Sequence, residues 1–150
     1  MNLFESGVSA DGRILAVGDQ NLQLVDDIDL LRPGIQAYRN RPVIIGIRPE
    51  HLTPAESGSG AVLDSKVDLV EALGSELLVH FAINAKRVQA EGVQDADEDE
   101  RLGGRLDVQG EGVARLHPHL SVKAGDRLRL SVDTSRIHFF DPVSGAAIYD

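Results

Sequence analysis

Apolar and polar residues alternate with a period of two along most of this chain, and three segments set the pattern. In SELLVHFAI, Leu77, Val79, Phe81 and Ile83 fall on one face, with Leu78, His80 and Ala82 on the other. In DRLRLSVD, Leu128, Leu130 and Val132 face one way, opposite Arg127, Arg129 and Ser131. Successive side chains of a strand point to opposite faces, so both segments predict strands, the second with one face in solvent. PVIIGIR divides into Val43, Ile45 and Ile47 against Ile44, Gly46 and Arg48. Both of its faces are partly apolar, which predicts a central strand.

Shorter strands are predicted at 13–17, 21–25, 66–72, 112–116, 137–140 and 146–149. Turn chemistry separates them: Asp11-Gly12, Gly18-Asp19, Leu73-Gly74-Ser75, Ala124-Gly125-Asp126 and Ser144-Gly145. Many short strands at regular spacing predict a mainly β fold, an antiparallel barrel or sandwich. One or two helical turns are expected across 29–38, where Pro33 suits a helix start. Two stretches read as loops: 54–60, PAESGSG, and 89–110. The second carries five acids in the six positions from Asp95 to Glu100, a density that predicts a solvated, flexible insertion.

Composition narrows the classes of function. With 150 residues and 42% hydrophobic content, the chain suits one globular domain or two small lobes sharing a core. It holds no run of about 18 apolar residues, so no membrane insertion is expected. MNLFESGVSADGR has neither the basic start nor the apolar core of a signal peptide. Without cysteine there are no disulfides, thiol nucleophiles or thiolate metal sites, and a cytoplasmic location is expected. Fifteen basic residues against 24 acidic ones give a net charge of −9, which argues against a nucleic-acid partner.

Chemical motifs are sparse. No lysine follows a glycine, so there is no P-loop, and both Gly-x-Gly pairs lack the third glycine of a dinucleotide cradle. Asp95, Asp97 and Asp99 match the alternate ligands of a calcium loop, but its glycine and twelfth-position glutamate are replaced by Glu100 and Leu106. His117-Pro118-His119 lacks a third neighbouring ligand. The expectation is no catalytic, cofactor-binding or metal-binding residue in this chain.

Arg48-Pro49-Glu50-His51 ends the central strand. Pro49 has no amide to donate and holds Arg48 extended, so pairing stops there. Arg48 is expected to form a bidentate pair with a carboxylate, with Glu50 and Glu71 as candidates, locking a corner between strands. The catalytic alternative, His51 as a base oriented by Glu50, has no nucleophile to serve.

These pieces resemble, in order, the C-terminal domain of the ATP-binding subunits of bacterial sugar importers of the maltose and glycerol-phosphate type. The resemblance rests on Met1-Asn2-Leu3-Phe4, VIIGIRPEHL at 43–52, VDLVEALGSE at 67–76, AGDRLRLSVD at 124–133 and IHFFDPVSGAAI at 137–148. It covers nearly the whole chain outside 89–110. It implies a transport-associated (TOBE) oligonucleotide-binding-type (OB-fold) antiparallel β-barrel with at most one or two short helices. Residues 1–42 would form its lead-in and 89–110 an inserted acidic stretch.

The same resemblance implies a regulatory and dimerising role without ATP hydrolysis in this chain. ATP and magnesium would be bound by an ATPase domain upstream, which would also contact membrane permease subunits at the inner face of the membrane. A homodimer through the parent subunit and a docked regulatory protein are the implied partners. Within the matching motifs, Arg48, Pro49, Glu50, His51, Glu71, Gly74, Phe140, Asp141 and Gly145 would serve a structural corner or an interface. A stand-alone module binding a sugar or an anion is the alternative reading.

Overall fold

The computed structural model describes residues 1–56, 60–85 and 110–148. Strand β1 (Asn2–Val8) runs antiparallel to β4 (Pro42–Ile47), with Phe4 opposite Ile45. Its far end pairs with β2 (Ile14–Val17), which turns back into β3 (Gln20–Gln23). Between β3 and β4 lie a four-residue helix α1 (Ile28–Leu31) and a 3-10 turn, Pro33–Tyr38, with Pro33 at its start, as the sequence predicts.

The second sheet is built from β5 (Leu52–Pro54), β6 (Val62–Ala72), β7 (Leu77–Ile83), β8 (Gly110–Leu116) and β9 (Arg127–Val132), in the spatial order β5-β9-β6-β7-β8. Its edge strands β5 and β8 approach each other, so the sheet curls towards a barrel. The last strand, β10 (His138–Phe140), returns to the first sheet and pairs with β4, giving the order β10-β4-β1-β2-β3. Among the described residues every pairing between these strands is antiparallel. The fold is mainly β, and β4 has neighbours on both sides, as its two apolar faces predict.

Alternation translates directly into burial. In β7, Leu77, Val79, Phe81 and Ile83 are buried while Leu78, His80 and Ala82 are half-exposed. In β9, Leu130 and Val132 are buried and Arg127 and Arg129 exposed. Phe4 and Phe139 from the first sheet and Phe81 from the second share one core with Leu15, Leu22 and Ile45. Burying each such side chain contributes about 1.5–3 kcal/mol.

Close approach of the sheets needs glycine at two points. Gly18, at φ +62° in the β2–β3 turn, sits against the end of β7, where a Cβ would lie 1.7 Å from the carbonyl oxygen of Asn84. A Cβ on Gly110 would meet the Phe4 ring at 2.9 Å.

Several boundaries differ from expectation. β1 and β5 are additional strands, and residues 1–42, expected as a lead-in, supply three strands of the first sheet, the middle strand β1 among them. Pro54, expected in a loop, pairs with Leu130 in β5. The strand expected at 146–149 is a single bridge between Ala147 and Phe140. Of the 89–110 stretch, Gly110 opens β8 opposite Ile83, and 89–109 lie outside the described residues.

Candidate functional site

β4 ends at Ile47, and Arg48 is extended, with φ −74° and ψ 143°, before Pro49 opens a 3-10 turn, Pro49–His51. The turn closes with His51 N–H donating to the Arg48 carbonyl at 2.9 Å. Pro49 therefore ends the strand as the sequence predicts. The expected carboxylate lock is not formed. Arg48 is exposed at the strand end, and both candidate acids are engaged elsewhere. Glu50 Oε1 faces Arg115 Nη1 on β8 at 4.0 Å, and Glu71 Oε1 lies 2.9 Å from His80 Nε2 across the β6–β7 hairpin. The physical reason is position: where pairing stops, Arg48 swings into solvent, while Glu50 turns towards the neighbouring barrel edge.

Arg115 also holds Glu76, Nε to Oε1 at 3.3 Å, so one guanidinium ties the Pro49–His51 turn to the β6–β7 turn. The Glu50 carboxyl lies below the usual carboxylate range. A hydrogen bond from its own backbone N–H is the largest cause, with Arg115, His51 and Arg48 adding to it. His51 turns away from Glu50: its Nε2 lies 3.4 Å from Arg136 Nη1, and its Nδ1 is buried with no partner among the described residues. Arg136 in turn pairs with Asp133 at 3.3 Å. The Glu50–His51 acid–base pairing of the catalytic alternative is absent.

His138, on β10, sits beside this corner. Burial lowers its pKa first, and Arg48, Arg32 and His51 lower it further. Gly74 lies apart at φ +85° in the β6–β7 turn, which Leu73 N–H closes onto the Glu76 carbonyl at 2.9 Å.

Phe140, Asp141 and Gly145 gather in one latch. Asp141 Oδ1 accepts from Val143 N–H and Ser144 N–H, each at 2.8 Å, and Tyr38 Oη donates to Oδ2 at 2.5 Å. The Tyr38 bond and the two amides hold the Asp141 carboxyl down at about 2, and the same bond raises the Tyr38 phenol. Gly145 N–H closes the turn onto the Asp141 carbonyl at 2.8 Å, and Phe140 bridges to Ala147. The last strand is thereby pinned to the Pro33–Tyr38 turn.

Two side-chain amides not singled out by the sequence join the sheets. Asn2 donates to the Val113 carbonyl at 2.9 Å and accepts from the Val113 N–H at 2.8 Å. Gln20 repeats the geometry on Asp64, at 2.8 and 2.7 Å. Each carboxamide completes a strand edge as a further strand would. An open polar groove of ≈ 710 Å³ lies beside Gln20, lined by Asp19, Lys66, Asp68, Asn84 and Arg127 among others. Among the described residues no helix is long and apolar enough to cross a membrane.

Comparison with known proteins gives two family matches in succession: the MalK OB fold domain over residues 1–52 and the TOBE domain over residues 45–103. Among curated relatives, the sulfoquinovosyl glycerol transport ATP-binding protein of Agrobacterium fabrum is 36% identical over 120 residues, covering 79% of this chain and 26% of its own. The trehalose import ATP-binding protein of Mycobacterium tuberculosis is 30% identical over 159 residues, covering 97% of this chain and 37% of its own. An sn-glycerol-3-phosphate import ATP-binding protein of Ralstonia nicotianae is 33% identical over 99 residues, covering 66% of this chain and 20% of its own. The chain spans well under half the length of these relatives.

Proposed function

The chain belongs to the family of MalK OB-fold and TOBE domains, and from that membership we propose that it is the regulatory and dimerising part of the ATPase subunit of a bacterial carbohydrate importer. The observation that carries this reading is the order of the two matched domains along a single fold, together with relatives that are ATP-binding proteins of sugar and glycerol-phosphate import. On this reading ATP and magnesium belong to a separate ATPase domain of the same subunit, and this chain hydrolyses nothing. Its work is mechanical: a stiff double-sheet body keeps two subunits together while their ATPase halves open and close. The subunit sits in the cytoplasm against the membrane permease.

The latch and the corner suit that role. Asp141, Tyr38, Arg115 and Glu50 fasten turns to strands at the ends of the sheets, which suits load transmission without distortion of the core.

The test is the size of the native product, by immunoblot of source cells with antibody against this chain. A band more than twice the 16.2 kDa of these residues is expected, and a subunit lacking them should then lose dimer stability while keeping ATP turnover. A band at 16.2 kDa would overturn the reading.

A further inference from the structure

We propose that the outer face of the first sheet is a contact surface between two copies of this chain. Register defines the face. Phe4, Ile45 and Phe139 lie side by side and point into the core, so their neighbours along each strand point outward. Two outward rungs result across β1, β4 and β10: Leu3, Gly46 and His138, then Glu5, Ile44 and Phe140. Leu3, Ile44 and Phe140 are half-exposed. Met1, 55% exposed, lies over Gly46, where a Cβ would stand 2.5 Å from its Sδ. Four apolar side chains therefore share the solvent side of an antiparallel sheet, which ordinarily carries polar ones.

The two ionisable groups of these rungs point to the occupant. Glu5 is exposed, and neither it nor the His138 imidazole has a hydrogen-bond or ion-pair partner among the described residues. They stand at opposite corners, on different rungs of the outer two of the three strands. With strands about 4.8 Å apart and about 3.4 Å per residue, that diagonal is about 12 Å long. Laying a second copy face to face, so that each Glu5 meets the other copy's His138, fixes a two-fold axis perpendicular to it. The same spacings place Leu3, Ile44, Gly46 and Phe140 each within about 2 Å of the axis. Each apolar position then meets its own mate, and the carboxylate–imidazole contacts close both flanks. An imidazole can present an N–H in either protonation state. The strands of the two copies cross at about 70°, near the orthogonal class of sheet packing. A different protein would have to bring both a donor for Glu5 and an acceptor for His138, whereas a second copy brings both, as an isologous contact requires.

Size sets the strength. Five strands at about 4.8 Å make the face about 24 Å wide and about 16 Å deep, or about 400 Å² per copy. That is half of a standard interface, and a net charge of −9 on each copy opposes it. The isolated chain should therefore dimerise weakly, with Kd between about 10 μM and 1 mM. The contact becomes effective where the rest of a subunit holds two copies together. In that respect the inference rests on the dimerising role proposed above, and the two fail separately: native size tests the parentage, and self-association tests the face.

The test is sedimentation equilibrium of the 150-residue chain up to about 1 mM, with thermal melts to confirm that each variant folds. The unaltered chain should dimerise. E5K and H138E should each weaken the dimer about tenfold or more, because two-fold symmetry applies every change twice. E5K/H138E, which restores opposite charges across the axis, should recover to within about threefold of the unaltered chain. L69A, at an exposed leucine on the outer face of the second sheet, should change nothing. In a mixture of isotope-labelled and unlabelled chains, Leu3 and Ile44 methyl groups should show NOEs to the other copy. A chain monomeric at about 1 mM, a dimer indifferent to E5K, or a folded double variant that stays weak would overturn the proposal. So would a dimer weakened by L69A, in favour of the second sheet. A monomer would leave the importer reading standing, and a native band at 16.2 kDa would overturn that reading and leave a measured dimer in place.

Discussion

Asn2 is the buried amide whose removal tests most sharply how the two sheets are joined. In Asn2→Ala, the Val113 N–H and carbonyl lose bonds of 2.8 and 2.9 Å at the free edge of β8. A hydrogen bond contributes a net ~1 kcal/mol, and a buried group left unpaired costs ~1–3 kcal/mol. Asn2 is only 8% exposed, but Val113 is half-buried, so water reaches part of the edge. The expected loss is about 2–3 kcal/mol for the pair. With a urea slope of about 2 kcal/mol per molar, the unfolding midpoint should fall by about 1–1.5 M at unchanged slope.

Gln20→Ala is the internal control. It deletes the same two-bond geometry on Asp64, but in solvent, where a loss below about 1 kcal/mol is expected. Asn2→Asp adds a sign. The carboxylate accepts from the Val113 N–H but opposes its carbonyl, whereas the protonated acid donates to it. The folded-state pKa of the new acid is therefore raised, and its deficit should shrink as pH falls through that value. A loss in Asn2→Ala under about 0.5 kcal/mol, or one equal to that of Gln20→Ala, would refute the clamp.

Gly18→Ala places a Cβ 1.7 Å from the Asn84 carbonyl oxygen at φ +62°, so it should cost more than about 2 kcal/mol and lower Tm by at least about 5 °C. Gly74→Ala, at φ +85° with open space around it, should cost only about 1–2 kcal/mol, and equal losses at the two sites would contradict the packing argument. Tyr38→Phe should raise the Asp141 pKa from about 2 part of the way towards 3.8, with the Val143 and Ser144 amides retaining the remainder. The folded-state value is depressed, so the latch contributes stability above the unfolded value, lost as pH falls from about 3.8 to about 2. Urea melts of Tyr38→Phe across that window should show a shallower acid slope, and an unmoved Asp141 carboxyl resonance titration would count against the bond.

The sequence announces β7 and β9 because their inner positions are apolar and their outer ones polar. It hides β1 for the opposite reason. The inward positions of NLFESGV are Asn2, Phe4, Ser6 and Val8, while Leu3 faces outward, so alternation is broken where the strand does its joining. An asparagine in phase with a buried phenylalanine was the available signal. The turns at Gly12, Gly18, Gly74, Gly125 and Gly145 were legible because each needs a positive φ. The partner of Arg48 was not, because ion pairing depends on which strand edge curls past. Arg115, on β8, took Glu50, and His80 took Glu71. The corner's architecture was readable, and its electrostatics required the fold.

The return of β10 to the first sheet has a consequence for the order in which the chain can mature. β1, β2, β3 and β4 leave the ribosome early and can pair at once, but the outer flank of β4 must wait for His138–Phe140 while the entire second sheet is synthesised in between. During that interval an apolar strand stands with one flank of its backbone unpaired and the Phe139 site empty. Such non-local closure is intrinsically slow, and an open edge of this kind invites pairing with another chain. Nascent chains, or chains cut before β10, are therefore the species most exposed to misassembly, and His138–Phe140 act as the closing stitch.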